Sequence, residues 1–296
     1  MMAPSRFVAP FLLVALVASA CGSSVRALEI GEITIDRAAL AEWIEDAAGP
    51  GAVGVTFDTA VAVSHLDQLV RYEALVDLLA EHGTSATVDD LDSARDRLLA
   101  AGLDSEAPGL ETLTGWQAAL DLTVAAGDGV RSAYEANSDL LGHELCASHI
   151  LVSLEEDAGV VRRLVESGRD FAGLAGALSQ DPGSAGIGGA LGCVSIGMFV
   201  PEFERAVLGA LRAGVTLVGP VPSQFGFHVI RIDEVRRVDP VPFDALGDRV
   251  LGAMLHLATL TRPIDLDSRY GTWDPIVGRV VVPAGPVEPG AARPGS

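Results

Sequence analysis

Ser148-His149-Ile150-Leu151-Val152 and Gly226-Phe227-His228-Val229-Ile230-Arg231-Ile232 decide how this chain is read. Both runs are short, rich in Val, Ile and Phe and bounded by turn residues, so each predicts a β-strand. Each carries one histidine. Between them, Asp157 to Ser167 places Val160, Val161, Leu164 and Val165 at helical spacing, and Gly168 stands where a helix C-cap glycine belongs. A second helical run, Phe171 to Leu178, follows directly. Six glycines then fall between Gly183 and Gly197, too many for a regular element, which predicts a loop needing positive φ or close backbone approach. A third helix is expected from about Pro201 to Leu211, ending before Gly214. The order strand, helices, glycine-rich loop, helix, strand predicts a compact α+β unit between Cys146 and Asp233.

A lone histidine in an apolar strand is most often a buried, hydrogen-bonded core residue. Two of them on the first and last strands of one small unit change that reading, because such strands commonly pair and bring the imidazoles side by side.

Six blocks in one order carry a resemblance: Ala147-Ser148-His149-Ile150-Leu151, Gly168-x-Asp170-Phe171-x-x-Leu174-Ala175, Ser179-x-Asp181-x-Gly183-Ser184, Gly188-Gly189-x-Leu191-Gly192, Val200-Pro201-Glu202-Phe203-Glu204-x-Ala206, and Gly219-Pro220-Val221-x-Ser223-x-Phe225-Gly226-Phe227-His228. The pattern resembles the rotamase domain of parvulin-type peptidyl-prolyl isomerases, most closely that of the extracytoplasmic PrsA and SurA type of foldase. It covers about ninety of the 296 residues. The resemblance implies a small antiparallel sheet flanked by helices, with His149 and His228 paired at the floor of the site. The family's loop Cys or Asp falls on Asp181, where the loop length varies by one residue. The apolar proline pocket falls on Leu191, Phe199 and Phe203, the network hydroxyl on Ser223, and the residue flanking the substrate on Phe225.

The chemistry explains the mixture. Amide rotation faces a barrier of about 18–20 kcal/mol from resonance. No bond breaks, so neither nucleophile nor cofactor is needed. An apolar pocket that grips the ring, and polar groups better matched to the twisted amide than to the planar one, lower the barrier. Asp181 would supply a negative group near the carbonyl, and the histidines would orient the network through defined tautomers. Phosphoprotein-specific parvulins carry a basic cluster after the first strand. This chain has Ser153-Leu154-Glu155-Glu156-Asp157 there, which implies unphosphorylated X-Pro substrates. One departure is Ala190, where the family usually has Asp.

The twenty basic residues are all arginine, against forty acids, for a net charge of −20 and a pI near 4.5. That argues against a nucleic-acid partner. Arg6 and the 14 apolar-rich residues Phe7 to Ala20 read as a signal peptide, too short to span a bilayer comfortably. Val17-Ala18-Ser19-Ala20-Cys21-Gly22 resembles a bacterial lipobox, with Ala18 where Leu is usual. Cys21 is then expected to be lipidated and to hold the protein on the outer face of the cell membrane, a plain secretory cleavage being the alternative. Two cysteines remain, Cys146 and Cys193. In an oxidising compartment such a pair usually bonds, which would pin the glycine-rich loop to the sheet. The cysteines and nearby His143 and His149 have no zinc-ligand spacing, so no metal is expected.

Outside the central unit, Glu29 to Ile35 alternates like one short strand, and Asp36 is expected to cap a helix with Leu40, Trp43, Ile44 and Ala47 on its apolar face. A long helix is expected over 59–82, with His65 and His82 solvated near its ends. Thr87-Val88-Asp89-Asp90 opens another, and helical runs follow near 110–126 and 129–141. The expected organisation is a leader over 1–20, a tether over 21–28, a helical domain over 29–141 and the rotamase-like domain over 142–237. A returning helix and strand over 238–282 would pack on the helical domain, and 283–296 form a Pro- and Gly-rich tail. The whole resembles a parvulin domain inserted in a SurA-like all-helical chaperone domain. Within the returning part, one helix is expected from about Phe243 to Thr261, a packed turn over 269–274 and a strand over 280–282. The leading reading is a lipid-anchored prolyl isomerase and foldase whose partners are unfolded or nascent secreted polypeptides. The alternative is a non-catalytic holdase that keeps the fold as a peptide-binding module.

Overall fold

The computed structural model describes residues 26–48, 59–107 and 109–281. The expected leader, Cys21, most of the tether and the tail lie outside them.

The first described segment is a hairpin rather than one strand. β1 (Arg26–Ile30) pairs antiparallel with β2 (Ile33–Asp36). The turn at Gly31 has φ +56°, and a Cβ there would stand 2.0 Å from the carboxylate of Asp77, so only glycine fits. The Asp36 carboxylate then caps α1 (Arg37–Ala48) by accepting the Ala39 N–H at 2.9 Å. The helices α2 (Thr59–Glu81), α3 (Val88–Ala100), α4 (Leu110–Ala125) and α5 (Asp128–Asn137) follow. Thr87 and Asp90 form a reciprocal capping box at the start of α3. Neither His65 of α2 nor His82 just after it is simply solvated: His65 is half-buried edge-on to Trp43, and His82 shares a hydrogen bond with Ser132.

The central unit comprises β3 (His143–Val152), α6 (Glu155–Glu166), α7 (Phe171–Leu178), β4 (Ala190–Ser195), α8 (Pro201–Ala213), β5 (Leu217–Ser223) and β6 (Gly226–Arg237). Its antiparallel sheet has the order β4-β3-β6-β5. The glycine-rich stretch is therefore not all loop, since β4 lies inside it and pairs with β3. Its glycines are tolerated because β4 is an edge strand, bulged opposite Ala147 and Ser148. β5 holds Pro220 and Pro222, which an edge position accommodates because no inner ladder needs their amides.

Side chains alternate across this sheet. Leu145, Ala147, Ile230 and Ile232 pack with Phe203, Ala206, Val207 and Ala210 of α8. Ile150, Val152 and Val229 pack on the other face with Ala158, Val161, Phe171 and Ala175 of α6 and α7. Both faces are thus covered.

After the sheet, the expected single helix from 243 is divided. Two short 3-10 turns, Phe243–Ala245 and Gly247–Arg249, precede α9 (Val250–Thr261), because Gly247 takes φ +55°. α9 packs on α2, α4 and α5, and Met254 and Leu257 are fully buried with Leu66, Leu75 and Leu78. Truncating such a leucine to alanine costs about 2–5 kcal/mol. β7 (Ile264–Leu266) then joins β1, so one sheet contains the first described strand and a strand that follows the central unit. β8 (Thr272–Asp274), expected as a turn, pairs with β9 (Arg279–Val281); Val282 lies outside the described residues. The helical domain is accordingly not purely helical, since β1, β2 and β7 and the β8–β9 hairpin belong to it.

Candidate active site

β3 and β6 pair so that His149 stands opposite Ile230 and Leu151 opposite His228. The two histidines are therefore diagonal neighbours on one face, the face covered by α8. Both are buried, and their Nδ1 atoms lie 3.0 Å apart. From His149 the network continues to Asp181, whose Oδ2 lies 2.8 Å from Nε2. From His228 it continues to Ser223, whose Oγ lies 2.7 Å from Nε2. Four residues drawn from three strands, β3, β6 and β5, and one loop form one unbroken chain.

The protons in this chain follow from its ends. The Asp181 carboxyl is held down to about 2, first by the Ser184 hydroxyl and then by His149. It is a carboxylate at neutral pH and can only accept, so His149 donates from Nε2. Burial, reinforced by the neighbouring His149, lowers His228 to about 4 and keeps it neutral. In the tautomer in which Nδ1 of His149 accepts, it takes Nδ1–H of His228, and Nε2 of His228 accepts from Ser223. Ser223 is free to donate because its Oγ already accepts the Phe225 N–H at 3.1 Å. A proton on His149 would reverse this order, turning Ser223 towards the Gly226 carbonyl at 3.4 Å.

The apolar side is built by α8. Phe203 is buried and meets both imidazoles nearly edge-on, with centroids 6.2 Å from His149 and 5.8 Å from His228. Phe199 stacks on Phe203 at 4.6 Å, and Leu191 packs half-buried against the same cluster. Phe225 is exposed beside Ser223. The eight residues singled out for the site converge, with Phe225 at its edge. Cys146 and Cys193 face each other across β3 and β4 and are joined in a disulfide. The expected lipidation residue, Cys21, lies outside the described residues.

Two further contributors were not singled out. Ser184 is buried and hydrogen-bonds both His149 Nε2, at 3.1 Å, and the Asp181 carboxylate. It stands in the Ser179-x-Asp181-x-Gly183-Ser184 block, which was the available signal. Gly189 receives the His149 N–H on its carbonyl at 2.8 Å. A Cβ there would come within 2.3 Å of the His149 carbonyl, at φ +82°, so the loop can reach the histidine strand only through glycine.

Residues 141–236 match the family model of the PPIC-type PPIASE domain. The foldase protein PrsA of Oceanobacillus iheyensis is 46% identical over 93 residues, 31% of this chain and 30% of that protein. The foldase protein PrsA 4 of Bacillus cereus is 42% identical over 97 residues, 33% and 34% of the two. The chain thus spans about a third of the length of these curated relatives. Among solved structures, the parvuline of Nitrosopumilus maritimus is 38% identical, covering 30% of this chain and 95% of that one with a TM-score of 0.28. The peptidylprolyl isomerase PrsA of Bacillus anthracis is 24% identical, covering 72% and 91% with a TM-score of 0.32. The unit built around His149 and His228, residues 141–236, belongs to the PPIC-type peptidyl-prolyl isomerase family.

Proposed function

We propose that the protein is a peptidyl-prolyl cis-trans isomerase and foldase acting on unphosphorylated X-Pro bonds of unfolded secreted polypeptides. The observation that carries this is the chain Asp181–His149–His228–Ser223 lying against the Phe199–Phe203 wall. The aromatic wall grips the pyrrolidine ring. The polar chain offers a carboxylate and a hydroxyl at fixed positions to the amide as it twists and its carbonyl loses charge. That arrangement favours the transition state over the planar ground state, as rotation without covalent chemistry requires.

The substrate class follows from charge. The first turn of α6 carries Glu155, Glu156 and Asp157, which repel a phosphate. Exposed Ile187, Met198 and Phe225, each within a few residues of a site group, suit apolar residues of an unfolded segment. The disulfide fits an oxidising, extracytoplasmic compartment. We assign membrane attachment to a lipidated Cys21, and the holding of unfolded chain to the helical domain. Among the described residues no helix is long and apolar enough to cross a membrane.

The test is the refolding of a protein whose slow phase is proline-limited, with this chain, with His228→Ala and with Phe203→Ala. Uncatalysed isomerisation takes roughly 10–100 s. Acceleration by the unaltered chain, lost in both variants, is the expected outcome. Suppressed aggregation with an unchanged slow phase would replace the isomerase by the holdase.

A further inference from the structure

We propose that Glu204 is a positioning residue for the proline pocket, held by His256 of the helical domain, so that the helical domain sets the wall that grips the substrate. This rests on the isomerase reading above.

Glu204 lies in the opening turns of α8 and is 4% exposed. Side chains on a helix lean towards its N-terminus, and this one reaches back beyond the helix. Its Oε1 accepts the N–H of Gly197 at 2.6 Å and of Phe199 at 2.8 Å. β4 has ended at Ser195 and α8 begins at Pro201, so these amides belong to neither ladder nor helix. The carboxylate therefore organises the loop, beyond what a helix cap requires. Gly197 turns the chain there at φ +102°, and Phe199 is delivered onto Phe203, which meets both catalytic-site histidines.

The other oxygen points to the second domain. Oε2 lies 3.5 Å from Nε2 of His256 on α9, itself 7% exposed. A buried carboxylate needs partners on every side. Here they are two loop amides, the positive end of α8 and an imidazole from the helical domain. A contact path consequently runs from α9 through Glu204, Phe199 and Phe203 to His149 and His228.

The experiment measures kcat and KM of the full chain on a short unphosphorylated Ala-Pro peptide, for Glu204→Ala, Glu204→Gln and His256→Leu. Losing the acceptor for two loop amides should raise KM about tenfold in Glu204→Ala, with kcat altered less than about threefold. The Gln variant keeps a carbonyl oxygen for both amides and should stay within about twofold of the unaltered chain. His256→Leu should raise KM by about threefold through the carboxylate it no longer holds. Amide hydrogen exchange gives a readout independent of turnover: Gly197 and Phe199 should exchange at least about tenfold faster in Glu204→Ala while β3 and β6 are unchanged. An unchanged KM, unchanged exchange at those amides, or a Gln variant as impaired as Ala overturns the proposal. An unaltered chain without isomerase activity would instead overturn the reading on which it rests.

Discussion

Nδ1 of His149 and Nδ1 of His228 stand 3.0 Å apart, joined across 79 residues of sequence. One must donate and the other accept, and the roles are set at the far ends by the Asp181 carboxylate and the Ser223 hydroxyl. The donor and acceptor roles of the four residues are therefore linked, and the first test is of His228 within that arrangement.

His228 is lowered to about 4 from an ordinary 6.5, chiefly by burial. The unfolded chain then takes the proton more readily than the folded one. Stability is fully present above about pH 6.5 and is lost as pH falls towards 4, by roughly 3 kcal/mol at most at ~1.4 kcal/mol per pH unit. His228→Gln keeps a polar side chain and removes the titration. Thermal unfolding at pH 4.5 and 7 should show a smaller acid loss in that variant. Equal losses would remove His228 as the cause.

Asp67 shifts in the opposite sense. Burial pushes it up to about 6 while it accepts the Val280 N–H of β9. Its folded pKa lies above the unfolded one, so its contribution is full below about pH 4 and is lost as pH rises through 6. Asp67→Asn retains a carbonyl for Val280 and carries no charge. Urea unfolding should find that variant more stable at pH 7 by about 1–3 kcal/mol and no different at pH 3.5. A destabilised variant at pH 7 would mean that Arg71 and Arg279 outweigh burial.

The disulfide holds edge strand β4, which leads from Leu191 towards Phe199, onto the strand that carries His149. It closes a loop across a separation of 47 residues, which by loop-closure entropy stabilises the folded state by about 4 kcal/mol. Reduction, or Cys146→Ser with Cys193→Ser, should cost about 2–4 kcal/mol in urea unfolding. The double variant should then be indifferent to reductant. A reductant effect that persists there would place the sensitivity elsewhere.

How legible all this was depends on the range of the interaction. Two strands each bearing a histidine predict a shared face, because pairing and alternation are local rules that β3 and β6 obey. β4 was hidden by its glycines and β5 by Pro220 and Pro222, both tolerated only because the strands turned out to be edges. The apolar face of α9 announced a distant partner without naming α2. Ser184, Glu204 and Arg205 stood in or beside quoted motifs, yet their roles depend on atoms brought close by the fold, and no periodicity encodes those.

Arg205 makes the last point testable. Its guanidinium is buried, with no carboxylate paired to it among the described residues, and burial lowers it to about 10. It donates to the hydroxyl and carbonyl of Thr259, near the C-terminal end of α9, and to the carbonyls of Pro275 and Ile276. Gly209, further along α8, lets the Ile276 carbonyl approach where a Cβ would stand 2.2 Å from it. The rotamase domain is thus riveted to the helical domain through one carbonyl at a helix end, where positive charge is favoured, and two in the turn between β8 and β9. Arg205→Met keeps the volume and removes every donor, leaving the buried groups of Thr259 unpaired at about 1–3 kcal/mol each where water cannot reach them. Calorimetry of the variant should show the melting temperature fall and the unfolding divide into two transitions, one for each domain. A single transition at the original temperature would show that the apolar contacts of α8 and α9 hold the domains together alone.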